Sequence, residues 1–232
     1  MIQQHREVLP DDVVNWFKQD FESRISRGEH TVKPPADLDS LKRLYNIETC
    51  EASEYRLDLE VGDPARDLLE TYLYDYIPGE RNWDSNKKSK FYVAYQRQFI
   101  PQNLHVDGSS TPTIPESFTG ILPLDENPHK RHQTIIWEKE FQTFEEFRAY
   151  FKFTNSWFQG YYTHKWQPAS YRHDIEHILE SYHSANYMRV IGALNYIRGG
   201  LGLFTRTHMH CSSNWRKYPG ETYKDFILIH LS

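Results

Sequence analysis

Apolar positions recur at helical spacing in the first third of the chain and in short β-like runs after it. Val13, Val14, Phe17 and Phe21 fall on one side of a helix predicted over 11–26, with Asp11 or Asp12 able to cap it. Residues 28–36, carrying Pro34-Pro35, are predicted to form a loop, and Leu38, Leu41 and Leu44 a short second helix. Asp63-Pro64 places a cap before a proline at the first helical position. The helix it opens carries Leu68, Leu69, Tyr72, Leu73 and Tyr76 on its apolar side and ends at Pro78-Gly79. The pattern then changes. Strands are predicted over 91–95, 103–106, 118–124, 134–137, 187–191, 201–205 and 223–231. Thr143-Phe144-Glu145-Glu146 matches a capping box opening a short helix, and 171–182 is a further helical segment.

Helices first and strands afterwards, without regular alternation, fit an antiparallel barrel or sandwich better than a parallel sheet. An aromatic share of 15% (16 Tyr, 13 Phe, 6 Trp) suits such packing, because aromatic rings fill pleated, half-buried surfaces. At 232 residues the chain can bury a core without staples. A net charge of −5 and the lack of a long basic run argue against a general nucleic-acid coat; Lys87, Lys88 and Lys90 read as a solvated turn. Two cysteines, Cys50 and Cys211, exclude a disulfide framework and favour a reducing compartment. The start of the chain has no apolar signal core, and no apolar run approaches the roughly 20 residues of a membrane span. A cytoplasmic protein is expected.

Of the 12 histidines, five bear on chemistry. In His105-Val106-Asp107, an extended backbone turns the imidazole and the carboxylate to one face. A second imidazole from another strand would complete a 2-His-1-carboxylate triad, a set suited to non-haem iron(II). His208 and His210 are both candidates and share a strand face. His173-Asp174-Ile175-Glu176-His177 matches the inverted zinc-protease pattern, with Glu221 available as a downstream ligand. Trp157, Phe158, Tyr161, Tyr162 and Trp166 form an aromatic cluster suited to core packing or to a substrate pocket, and Cys211 reads as a small buried residue.

Taken in order, Leu104-His105-Val106-Asp107-Gly108, Thr119-Gly120-Ile121-Leu122-Pro123-Leu124-Asp125, Gln133-Thr134-Ile135-Ile136-Trp137, the Gly199–Phe204 run and His210-Cys211-Ser212-Ser213-Asn214 resemble the iron(II)/2-oxoglutarate-dependent oxygenase superfamily. More narrowly they look like its phytanoyl-hydroxylase-like and phage- or virus-encoded members. The resemblance runs from about residue 90 to residue 232. It implies a mainly β fold with a double-stranded β-helix (jelly-roll, cupin-like) core, supported by N-terminal helices. On this reading the chain is one domain, with 1–88 as mainly helical support and 89–232 as core, carrying an insertion near 141–186.

The resemblance also implies a set of roles. His105, Asp107 and His210 hold Fe(II), with His208 as the rival distal ligand. Lys224 pairs with the far carboxylate of 2-oxoglutarate, with Arg216 second, and Tyr92, Thr134 or Tyr95 supplies a hydroxyl. The implied reaction is that of a dioxygenase, in the leading reading a hydroxylase. It couples 2-oxoglutarate decarboxylation by O2 to oxidation of a small-molecule or side-chain substrate. Two other readings compete: a non-catalytic jelly-roll binding module with a structural metal, and a zinc hydrolase using His173 and His177.

Overall fold

The computed structural model describes residues 1–35, 38–45, 47–76, 91–107, 117–126, 132–157, 174–182, 185, 188–218 and 222–231. The Lys87–Lys90 turn, Gly108–Ser110, Phe158–Trp166, His173 and Glu221 lie outside them, as does the Pro78-Gly79 helix stop.

The elements in order are β1 (Ile2–His5), α1 (Asp11–Ser26), β2 (Thr31–Lys33), α2 (Leu38–Tyr45), β3 (Glu54–Asp58), α3 (Pro64–Leu73), β4 (Phe91–Gln98), β5 (Phe118–Pro123), β6 (Gln133–Glu140), α4 (Phe144–Trp157), α5 (Glu176–Ser181), β7 (Val190–Asn195), β8 (Leu201–Thr205), β9 (His208–Ser212) and β10 (Lys224–Leu231). They form a seven-stranded sheet, β1-β8-β5-β10-β4-β3-β2, and a three-stranded sheet, β7-β6-β9. The ladders are antiparallel. This is the expected mainly β, double-stranded β-helix architecture.

The alternation of side chains along each strand assigns the faces. On β10, Ile227 and Ile229 join a core with Phe17 and Phe21 of α1 and Leu69 and Leu73 of α3. On the same strand Phe226 and Leu228 turn the other way, into a cluster between the sheets with Ile121, Ile136, Leu194 and Phe204. On β6, Ile135 and Trp137 face outward against Phe147 and Phe151 of α4 and Ile178 of α5, while Ile136 faces the interior. Two outer apolar layers therefore flank the sheets, and a third lies between them.

Local chemistry fixes the helix starts. Asp63 accepts from Ala65 N at 2.9 Å ahead of Pro64, and Arg24 holds the same carboxylate at 2.6 and 2.9 Å. Thr143 Oγ1 accepts from Glu146 N at 3.1 Å, and Glu146 reaches back to Gln142 N at 2.9 Å, one residue before the expected partner of a capping box.

Three expectations need correction. The segment 28–36 is not all loop: Thr31–Lys33 pairs with β3 as an edge strand. The first third, helical for the most part, is not only support, since β1, β2 and β3 join the large sheet. They are short, and polar residues such as Gln3, Gln4, Lys33 and Glu54 mask the strand pattern. Residues 103–106 do not form a strand; only His105 makes a bridge, to His210. No helix among the described residues is long and apolar enough to cross a membrane.

Candidate metal and dicarboxylate site

His105 and His210 are joined through their backbones before their side chains meet. His105 N donates to His210 O at 3.0 Å and His210 N to His105 O at 2.9 Å. The pairing places the two rings 4.1 Å apart. Leu104 and Val106 point outward into the α4 layer, which turns His105 and Asp107 inward together. His105 Nε2 lies 3.5 Å from Asp107 Oδ1, and His210 Nε2 lies 3.4 Å from Asp107 Oδ2. One ligand atom from each of the three residues falls within 4.8 Å of the others.

Both imidazoles are oriented from behind. His105 Nδ1 lies 2.7 Å from Asn103 O, and His210 Nδ1 lies 3.0 Å from His208 O. Each Nδ1 donates to its carbonyl, which leaves the Nε2 lone pair aimed at the shared space. His105 Nε2 is buried without a hydrogen-bond partner. Thr119 Oγ1 donates to Asp107 Oδ2 at 2.5 Å, and Arg206 donates to the Asp107 carbonyl at 2.5 Å. Burial raises the Asp107 carboxyl, but the His210 and His105 imidazoles outweigh it and hold the group well below the usual carboxylate range. Burial, and then the charge of His210, lowers His105. The arrangement is a carboxylate between two imidazoles, a donor set for a divalent cation.

His208 is placed elsewhere. Its Nδ1 lies 3.1 Å from Trp137 O and its Nε2 lies 3.5 Å from Glu140. Its contribution to the cluster is the backbone carbonyl that orients His210.

Lys224 opens β10 and is 1% exposed. Its Nζ donates to Tyr196 Oη at 2.8 Å and Ser212 Oγ at 3.2 Å, and packs over the Tyr196 ring at 4.3 Å. No carboxylate lies against it among the described residues, and burial pulls its amine down to about 7. A buried ammonium without a counter-ion is costly, so the site suits an anion from outside the chain. A cavity of about 100 Å³ between the sheets is lined by Asp107 and His210 at one part and by Tyr196, Ser212 and Thr134 at another. Ser212 is two residues along β9 from His210, which puts about 7 Å of strand between the donor set and the hydroxyl that meets Lys224.

The other residues expected here separate cleanly. Thr134 is buried, lines the cavity and hydrogen-bonds Tyr196. Arg216 donates to Thr222 O at 2.7 Å and does not line the cavity. Tyr92 pairs with His230 at the other end of β4 from Lys224, and its hydroxyl accepts from Arg56 at 2.7 Å. Tyr95 faces the helical layer, donating to Asp20 at 3.0 Å. Neither tyrosine meets Lys224, because strand parity or register takes it away.

Four residues at the site were not assigned from sequence. Thr119 and Ser212 stand inside the motifs quoted above, and their hydroxyls carried the signal. Tyr196 and His230 have no local signature. His230 lies six residues beyond Lys224 on the same strand face, with Nε2 3.8 Å from Asp107 Oδ2, and burial holds its imidazole down at about 4. Cys211 is buried, and burial pushes its thiol up to about 12, away from the thiolate form. His177 is 2% exposed and packs on Tyr45 at 5.4 Å; among the described residues it belongs to no metal-ligand cluster.

No family model matches the chain. A search of curated proteins also finds no match. Solved structures do match along its whole length. The non-heme alpha ketoglutarate dependent epimerase SnoN from nogalamycin biosynthesis has a TM-score of 0.57 at 10% identity, covering 100% of this chain and 78% of that one. The carbocyclase SnoK from the same biosynthesis gives 0.54 at 10%, covering 100% and 79%. EctD from S. alaskensis, crystallised with 2-oxoglutarate and 5-hydroxyectoine, gives 0.51 at 12%, covering 100% and 72%. These likenesses show the jelly-roll fold.

Proposed function

We propose that this protein is an iron(II)- and 2-oxoglutarate-dependent oxygenase, an oxidoreductase acting on a small-molecule or side-chain substrate with O2. The observation that carries this reading is the pairing of two sites in one cavity. Asp107 and His210 of the His105–Asp107–His210 donor set line it at one part; at another it is lined by Tyr196 and Ser212, which hold the buried Lys224, an amine with no carboxylate against it among the described residues. The donor atoms fit the metal: two Nε2 lone pairs and an ionised carboxylate converge, with His105 Nε2 otherwise orphaned.

Iron(II) with 2-oxoglutarate would supply the oxidising chemistry, coupling decarboxylation of the cosubstrate to oxidation of a substrate C–H bond by O2. The chain's own residues would position and shield. His105 and His210 would hold the metal through Nε2 and Asp107 through a carboxylate oxygen. Lys224 pairs with the far carboxylate of 2-oxoglutarate, with Tyr196, Ser212 and Thr134 around it. Ile121, Phe226 and Leu228 line the cavity between, keeping water from the ion pair. Thr119 and the carbonyls of Asn103 and His208 hold the ligands in orientation. Hydroxylation is the outcome proposed, and the narrower phytanoyl-hydroxylase-like or phage-type grouping rests on the sequence motifs.

Anaerobic titration of the protein with Fe(II) and 2-oxoglutarate tests the reading. The expected result is a weak visible metal-to-ligand charge-transfer band that is lost in Asp107→Ala and in Lys224→Ala. A folded protein that binds metal but gives no such band, and forms no succinate in air, would overturn it in favour of a binding module.

A further inference from the structure

A second cavity, of about 640 Å³, adjoins the first and reaches His105. The two share Lys33, Glu54 and Gln102 in their linings, so Glu54 stands where they join. The walls of the larger cavity divide by chemistry. One side is aromatic: Phe147 and Phe151 of α4 have rings 4.9 Å apart, and Phe151 meets Tyr182 at 5.2 Å. The other side offers buried acceptors. Glu54 is 8% exposed, and its one ionic contact among the described residues is Lys33 at 4.0 Å, a lysine whose side chain is 69% exposed. Gln98, its partner in the β3–β4 ladder, is 3% exposed. Gln98 Nε2 donates to Gln102 at 3.2 Å, while Gln98 Oε1 is buried with no hydrogen-bond partner.

A largely buried carboxylate whose ionic contact is one long, exposed lysine, beside an amide oxygen buried without a donor, is expensive unless a ligand supplies the protons. Strand parity puts both on the cavity face of the large sheet, because Tyr55, Leu57, Arg97 and Tyr95 take the other face. The cations in the lining, Lys33 and Arg148, are at its exposed rim, where water screens them.

We propose that the larger cavity binds an amine: a small molecule with a protonated amino group and a ring-sized apolar face. Its ammonium donates to Glu54 and to Gln98 Oε1. Its apolar face lies on Phe147, Phe151 and Tyr182, and its far end reaches His105. That this amine is the molecule oxidised rests on the oxygenase reading; that it binds does not.

Three probes matched in ring and chain, 2-phenylethylamine, 2-phenylethanol and 3-phenylpropanoate, test the charge preference by ligand-observed NMR on the metal-free protein. The wild-type chain is expected to bind the amine at least about tenfold tighter than the alcohol or the carboxylate. Glu54→Gln, with its melting temperature checked, should erase that preference, and Gln98→Leu should weaken the amine several-fold. If Glu54→Gln does not fold, Gln98→Leu decides. Equal binding of the three probes by the wild type, or amine affinity unchanged in folded Glu54→Gln, would overturn the inference. Amine preference without a charge-transfer band would keep it and sink the oxygenase reading; the band without amine preference would do the reverse.

Discussion

Lys224 is held against Tyr196 and Ser212 at a cost. Its amine falls from 10.5 to about 7 through burial. Between those values the unfolded chain binds more protons than the folded one, so this group makes the ligand-free protein more stable as pH rises from about 7 to 10.5. Lys224→Met should therefore raise the apo protein's stability at pH 7 by about 1 kcal/mol or more in denaturant unfolding. The same change should weaken 2-oxoglutarate about 10- to 100-fold. An incoming carboxylate restores the proton, so at pH 8 binding should take up protons, read by calorimetry in buffers of different ionisation enthalpy. Thr119 supports the other part of the cavity. Thr119→Val removes the hydroxyl on Asp107 and should lower iron affinity about 10- to 100-fold in chelator competition. His210→Ala should abolish iron binding, whereas His208→Ala should keep it, because the His208 role runs through a backbone carbonyl that alanine retains.

At the scale of elements, parity along β10 and β9 assembles the site. Lys224, Phe226, Leu228 and His230 share one face, as do His208, His210 and Ser212, while Met209 and Cys211 pack outward. The turn before β8 sets where that strand begins. Gly199 has φ +69°, and a Cβ there would stand 2.8 Å from Leu9 O. Its own carbonyl accepts from Val8 N and Leu9 N, tying the connection between β1 and α1 to the turn. Gly199→Ala should cost about 1–3 kcal/mol in thermal or denaturant unfolding, through strain and that clash. The helix α1, the Asp63-Pro64 start and the strands β4, β5, β8 and β10 were legible from apolar period and, at Asp63, from the cap; α1 starts after Pro10 without a side-chain cap, Asp11 and Asp12 lying in its first turn. The edge strands β1 and β2 were not, because pairing partners more than 20 residues away, rather than their own composition, hold them.

For the molecule as a whole, three apolar layers bury titratable groups whose signs oppose each other. Burial lowers His177 to about 3, so between there and 6.5 the unfolded chain binds more protons and stability falls as pH drops. Burial raises Asp225 to about 6 despite its pairing with Arg97, and this group works the other way between 3.8 and 6. Relative to His177→Leu, the wild type should lose about 2 kcal/mol of unfolding free energy between pH 7 and pH 5. Equal pH dependence in the two chains would show that His177 is not held neutral.

By itself the sequence determined the fold class and the identity of the candidate ligands. His105 and Asp107 lie two apart in extended chain, and a histidine followed by small polar residues was readable downstream; both are local patterns. Which imidazole faces Asp107, which hydroxyls meet Lys224, and where Glu54 and Gln98 converge were decided by tertiary structure. Each depends on the register of strands joined across tens to more than a hundred residues. A one-residue slip there would turn every side chain to the other face, and that choice is made by how the layers pack.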